Sequence, residues 1–270
     1  ERALPSDPIV VTDRNQIEAF TRQDPFLHLY ALGDLDPFYW DQTIWYASGS
    51  GAELDALILV YTAMDPPVVQ ALCAPGDQAL PRLLRAAVPL LPDRFQAHLT
   101  PGVEAVLEPH YHLQGVTPHL KMGLRRPLPD DLDTTRVETL REQDLGRLLE
   151  LYEAAYPDNA FDPRMLETGL FRGISDDGRL VSAAGVHVHS SRYRVAALGS
   201  VATHPDYRGR GFGRAVTAAL CRDLLASTDH IGLNVRADNH AAIACYRALG
   251  FEVTHEYVEL VAEARPGQPG

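Results

Sequence analysis

The stretch Val201-Ala202-Thr203-His204-Pro205-Asp206-Tyr207-Arg208-Gly209-Arg210-Gly211-Phe212-Gly213-Arg214 decides the fold. Its first residues close a strand and Pro205 stops it. Beyond the glycines, Ala215, Val216, Ala219, Leu220 and Leu224 recur at helical spacing as far as Ser227. A diphosphate needs several backbone N–H groups aimed at one point, and the first turn of a helix supplies them together with the positive end of the macrodipole. Gly209, Gly211 and Gly213 let the backbone approach phosphates without Cβ clashes and accept φ > 0. Arg208, Arg210 and Arg214 add charge-assisted contacts. An anion needs that local help here, because the formal net charge is -12. Other glycine motifs fail on spacing: a dinucleotide G-x-G-x-x-G from Gly209 would need glycine where Arg214 stands, and no Gly-Lys-Ser/Thr ends the loop. One short arginine-glycine copy between a strand and a helix is not an RNA-binding repeat.

Working outward through the second half, residues 137–140 read as a strand and 142–156 as a helix carrying Leu145, Leu148, Leu149, Tyr152 and Ala155, stopped by Pro157. Residues 170–174, 179–189 and 193–203 read as antiparallel strands joined by the Asp176-Asp177-Gly178 and Ser190-Ser191 turns. After the glycine turn and helix come a strand at 231–235, a helix at 239–249 ended by Gly250, and a strand at 251–261.

Here the chain resembles the GNAT superfamily of acyl-CoA N-acyltransferases, whose signature is R/Q-x-x-G-x-G/A. Arg208, Gly211 and Gly213 fill it, and Asn239-His240-Ala241-Ala242-Ile243-Ala244-Cys245-Tyr246-Arg247-Ala248-Leu249-Gly250-Phe251 is similar to the family's N-x-x-A-x-x-x-Y-x-x-x-G-F helix. The resemblance covers roughly residues 134 to 263. It implies that backbone groups of Val201 and Thr203 hold the pantetheine arm like an added strand. It further implies that the N–H groups of Gly209, Arg210, Gly211, Phe212, Gly213 and Arg214 take the pyrophosphate, that Asn239 bonds the pantetheine or phosphate region, and that Tyr246 protonates the leaving thiolate. Read from the residues alone, the alternatives are a helix N-cap for Asn239 and a core aromatic for Tyr246, whose spacing from Asn239 and Gly250 favours the catalytic role.

Many family members place a glutamate on the strand before the loop to deprotonate the acceptor. Residues 196–201, Ala-Ala-Leu-Gly-Ser-Val, contain no carboxylate. Two readings stay open for His187 and His189: base or water-positioning groups in the acceptor cleft, or histidines on a solvent face. Ser200 is a candidate to hold a water. No zinc site is expected, since no third and fourth ligand accompany the two histidines.

The first half gives a fainter version of the same order. A strand at 9–11 and a helix at 16–30 precede strands at 43–47, 54–63 and 68–73, a helix at 79–88, a strand at 95–99, a helix at 103–113 and a strand at 119–124. Tyr111 and Gly115 sit in the same relation as Tyr246 and Gly250, which reads as a degenerate duplication. No arginine-glycine loop follows residue 73, where Ala74-Pro75-Gly76-Asp77-Gln78 stands, so no acyl-CoA is expected there. The aromatic cluster Phe38-Tyr39-Trp40 with Trp45-Tyr46 reads as packing. His110, His112 and His119 read as ordinary surface or core residues.

The fold class that follows is α/β (α+β): two GNAT-like domains, each a mixed, mainly antiparallel sheet flanked by helices, the N-terminal copy degenerate. The expected boundaries are a domain at 1–126, a proline- and carboxylate-rich linker at 127–133, a domain at 134–263 and a tail at 264–270. The layout also resembles the glycine N-acyltransferase type.

A chain of 270 residues suits two domains, and 46% hydrophobic with 22% charged residues suits a packed one. The acidic balance argues against nucleic acid or an anionic membrane as partner. Cys73, Cys221 and Cys245 lack C-x-x-C spacing and point to a reducing compartment, the cytoplasm. Residues 1–8 carry no signal peptide and no stretch is apolar enough to span a membrane, so neither export nor a membrane partner is expected. The resulting expectation is an N-acyltransferase, with acetyl-CoA or another acyl-CoA as co-substrate, no metal, and a small-molecule amine or a peptide terminus as acceptor. The oligomeric state is open. A non-catalytic acyl-CoA sensor and a protein-binding adaptor are the alternatives.

Overall fold

The computed structural model describes residues 8–51, 53–157, 159 and 161–266. Its contacts divide the chain discontinuously into two compact units. Unit 1 comprises residues 1–121, 236–238 and 254–270, and unit 2 comprises 122–235 and 239–253. A contiguous division at 127–133 is what the sequence leads one to expect; in the structure the end of the chain belongs with its beginning. Of the tail at 264–270, Ala264 ends a strand, and residues 267–270 lie outside the described residues, as do 1–7.

The first unit contains β1 (Ile9–Val10), α1 (Arg14–Thr21), α2 (Leu29–Gly33), α3 (Pro37–Trp40), β2 (Thr43–Ser50), β3 (Glu53–Tyr61), β4 (Val68–Ala71), α4 (Ala79–Ala87), β5 (Arg94–Leu99) and β6 (Tyr111–Leu124) as far as Lys121. β1 to β4 pair antiparallel in sequence order, and β4 joins β5 in parallel. α4 turns Leu80, Leu83, Leu84 and Ala87, spaced three and four apart, into a core with Ile58, Val60, Val69, Phe95 and Ala97. Each such leucine removed from water is worth about 1.5–3 kcal/mol, which fixes α4 on the sheet. The aromatic cluster is packing, as Trp45 and Tyr39 are buried and Trp40 stacks on Trp45 at 6.2 Å.

Unit 2 contains β7 (Glu138–Leu140), α5 (Leu145–Ala155), β8 (Phe171–Asp176), β9 (Arg179–Ser190), β10 (Val195–Thr203), α6 (Phe212–Leu224), β11 (His230–Arg236) up to Val235, α7 (His240–Ala248) and the start of β12 (Phe251–Ala264). β7 to β10 are antiparallel neighbours, and β10 joins β11 in parallel. α6 and α5 both pack on β9 and β10. The segment at 127–133 is held to α6 by Arg222, which donates to the Pro129 carbonyl at 3.2 Å and the Thr134 hydroxyl at 3.0 Å. The rest of β12 pairs with β5 in unit 1, from Val258↔Leu99 to Glu263↔Arg94.

Two sequence expectations need correction. The helix expected at 16–30 is broken after Thr21, and α2 starts only at Leu29. Pro25 lacks an N–H and disfavours the helical conformation of the residue before it. The helix expected at 103–113 is a 3-10 turn at Val103–Val106, followed by β6 from Tyr111. Pro109 blocks a longer helix, and Tyr111 packs edge-on against Phe95 at 5.1 Å as a strand residue. The matching of Tyr111 and Gly115 with Tyr246 and Gly250 therefore fails, because Tyr246 lies on α7. The likeness of the two halves rests on element order instead.

Candidate active site

The site begins where two parallel strands part. The ladder between β10 and β11 runs from Val195↔His230 to Leu198↔Leu233, although β10 continues to Thr203 and β11 to Arg236. At the same level β10 is irregular against β9 between Gly199 and Ala202, and Ser200 takes φ 53. Beyond it the ladder with β9 resumes at Ala202↔Ala183, and the His204 N–H donates to the Val181 carbonyl at 2.8 Å. Backbone groups alternate between the edges of a strand, so Val201 and Thr203 turn theirs to the edge that β11 has left.

The glycine turn lies at the end of that edge. Gly209 and Gly211 have φ 76 and 80, where a side chain is strained, and Gly211 is the N-cap of α6. The first bond closed inside α6 runs from the Ala215 N–H to the Gly211 carbonyl at 3.0 Å. The amides of Phe212, Gly213 and Arg214 are thus first-turn donors with no partner in the helix ladder. A Cβ at Gly213 would lie 3.1 Å from the Thr203 hydroxyl oxygen, so this glycine brings helix and strand end together. Arg208 donates to the Thr203 carbonyl at 3.2 Å, and Arg210 donates to the Asp206 carbonyl at 3.2 Å while lying over the Tyr207 ring at 4.8 Å. Both arginines brace the turn from within. This cradle of open backbone fits a diphosphate joined to an extended arm.

The polar groups of the site gather on Ser200, which is 2% exposed. Its Oγ lies 3.3 Å from Asn159 Oδ1, to which it donates, and 3.4 Å from His187 Nε2. Its carbonyl accepts from the Tyr152 hydroxyl at 3.1 Å, and burial pushes the Tyr152 phenol well above its usual pKa. His187 is half-buried against the backbone of Gly199, whereas His189 stands 3.4 Å from the Ser227 hydroxyl, away from Ser200. The strand thus separates the two histidines that the sequence left together.

On α7, Asn239 caps the helix by accepting from the Ala242 N–H at 3.2 Å. Tyr246 is 8% exposed and packs edge-on against Phe251 at 6.0 Å. Burial raises its phenol pKa, with Cys245, Tyr156 and Cys221 adding in the same direction, so it holds its proton. Among the described residues no group of three or more His, Cys, Asp or Glu is arranged to hold a metal.

Sequence reasoning missed Asn159 and Tyr152. Tyr152 carries only a core signal, being one apolar position of α5. Asn159 sits in the loop after Pro157, where a lone asparagine has no periodic neighbour to mark it.

The corresponding strands of unit 1 do not part. β4 and β5 pair from Val68↔Gln96 to Ala71↔Leu99. Beyond them the Thr100 hydroxyl accepts from the Cys73 N–H at 2.8 Å and donates to the Cys73 carbonyl at 3.1 Å. The edge that is open in unit 2 is stapled shut here.

The acetyltransferase (GNAT) family model matches residues 136–251. The N-alpha-acetyltransferase RimI of Mycobacterium tuberculosis is 33% identical over 125 residues, covering 44% of this chain and 75% of that protein. A mycothiol acetyltransferase of Kocuria rhizophila is 38% identical over 101 residues, covering 35% of this chain and 32% of that one. A tandem GNAT protein from the clavulanic acid biosynthesis pathway has a similar fold, with a TM-score of 0.59 at 18% identity over 97% of this chain and 99% of that one. The chain belongs to the GNAT acetyltransferase family. It spans less than two fifths of the length of most of the curated relatives it matches.

Proposed function

We propose that this chain is an N-acetyltransferase that moves an acetyl group from acetyl-CoA to a primary amine, by direct attack within a ternary complex. The observation that carries this reading is the parting of β10 from β11 beside the Gly209–Gly213 turn. In it, the backbone of Val201 and Thr203 holds the pantetheine arm, and the amides from Gly209 to Arg214, with Arg208 bracing the loop, hold the pyrophosphate. Asn239 caps α7 and presents that helix start to the cofactor. Acetyl-CoA, when bound, supplies an activated thioester.

The protein's own groups manage orientation and protons. His187 receives the ammonium proton, directly or through a water that Ser200 holds, since no carboxylate stands on this part of β10. A strand N–H near Val201 polarises the acyl oxygen. Tyr246 donates to the departing sulfur. Its raised pKa is compatible with that role because the same dry surroundings raise the pKa of a thiolate as well. Relatives named for N-alpha-acetyltransferase and mycothiol acetyltransferase activity support an amine acceptor, either a peptide terminus or a small molecule.

The missing carboxylate favours a second reading, an acyl-CoA sensor without turnover. Calorimetry with acetyl-CoA and a thiol-release assay over a panel of amines separate the two. The enzyme reading expects binding plus release, with Tyr246→Phe lowering kcat by about 10–10² while acetyl-CoA affinity stays within twofold. Tight binding with no release from any amine would favour the sensor, and no binding would remove both.

A further inference from the structure

Resting on the proposed acetyl transfer, we propose that Asn159 is a specificity residue: its side-chain amide donates to an oxygen of the acceptor, so the acceptor is an amine with a carbonyl group on the adjacent carbon. Ser200 holds a left-handed backbone conformation, which strains a non-glycine residue. That conformation brings its hydroxyl between Asn159 and His187. The hydroxyl donates to Asn159 Oδ1, so it is left to accept from His187 Nε2–H. One face of the Asn159 amide is committed by this chain.

The other face is not. Asn159 Nδ2 is buried and, among the described residues, meets no hydrogen-bond acceptor. A desolvated donor left in that state is unfavourable, so its position is explained by a partner that arrives with the reaction. Its neighbours are the base candidate and the strand that carries the acyl oxygen's donor. An oxygen that meets Nδ2 while the amine meets His187 is therefore close to that amine. The carbonyl of an α-amino acyl compound has this placement, and a simple alkylamine or polyamine does not.

The test compares kcat/KM for alaninamide and for 3-methylbutan-2-amine, which replaces the carboxamide with an isopropyl group, in the wild type and in Asn159→Asp and Asn159→Ala. Asn159→Asp keeps the oxygen that Ser200 needs and replaces the donor with a carboxylate oxygen, whose charge acts on both ammonium ions, so the ratio between the two amines reports the lost hydrogen bond. The two amines differ in basicity, so the measured quantity is the change in their ratio between proteins. The inference expects the preference for alaninamide to fall about tenfold in both variants, through KM for the amine, with KM for acetyl-CoA within twofold. An unchanged ratio in Asn159→Asp, or acetyl-CoA binding without acetylation of either compound, overturns it. A wild type that does not bind acetyl-CoA at all instead sinks the transferase reading beneath it.

Discussion

The imidazole of His187 occupies the space that a side chain on Gly199 would fill: a Cβ placed there would overlap the ring. The two residues lie on adjacent antiparallel strands, and the absence of one side chain makes room for the other.

Gly199→Ala therefore moves His187 while leaving the glycine turn alone. Steady-state kinetics should show kcat lowered by about 10² or more, as for loss of a positioned base, with acetyl-CoA affinity in calorimetry within twofold. Unchanged kcat would remove His187 from the proton path.

Gly211 starts α6 in the left-handed region. Gly211→Val forces a β-branched residue into a conformation that costs about 1–3 kcal/mol. The expected outcome is at least a tenfold weaker acetyl-CoA affinity with the far-ultraviolet circular dichroism preserved. Equal affinity would show that the turn is not the diphosphate cradle.

The Thr100 hydroxyl closes the unit 1 edge onto Cys73. Thr100→Val keeps the shape and removes both bonds, which should lower stability in denaturant titration by about 1–3 kcal/mol. The stoichiometry of acetyl-CoA should remain one per chain in wild type and variant alike. Two sites per chain in the wild type would contradict the reading of unit 1 as closed.

Burial pushes the Asp34 carboxyl up to about 8 in the folded chain. Its folded pKa lies above its unfolded one, so its favourable contribution is complete below the unfolded carboxylate range and is lost as pH rises towards 8. Thermal unfolding from pH 4 to 8 should show a falling contribution from this residue, on the order of several kcal/mol at most, that Asp34→Asn removes. Parallel pH profiles for wild type and variant would show that this carboxyl ionises without cost.

The glycine turn was legible because glycine takes the left-handed positions at 209 and 211 with the least strain, and helix periodicity starts at once behind it. The helix that carries Asn239 and Tyr246 was legible as well, since spacing on one helix is written in sequence spacing. The 103–113 segment was misread because Val103, Val106 and Leu107 have helical periodicity while Pro109 and the packing of Tyr111 on Phe95 decide otherwise. Gly199 was read only as a missing carboxylate. What it accommodates depends on cross-strand register and on an irregularity in β10, neither of which a single strand records. Asn159 meets Ser200 across 41 positions of chain, a relationship that no local pattern announces.

The strand order of unit 1 also constrains how the protein is made. Val258 to Glu263 bond to Leu99 through Arg94, so the ribosome delivers the last rung of the first unit only after the whole of the second has been synthesised. Until then β5 waits with an unmatched border, a state prone to sticking to other nascent chains. The arrival of residues 258–263 outside the tunnel is thus the event that seals unit 1, and a ribosome stalled before residue 258 would leave that unit unfinished however long its amino-terminal part had been outside the tunnel.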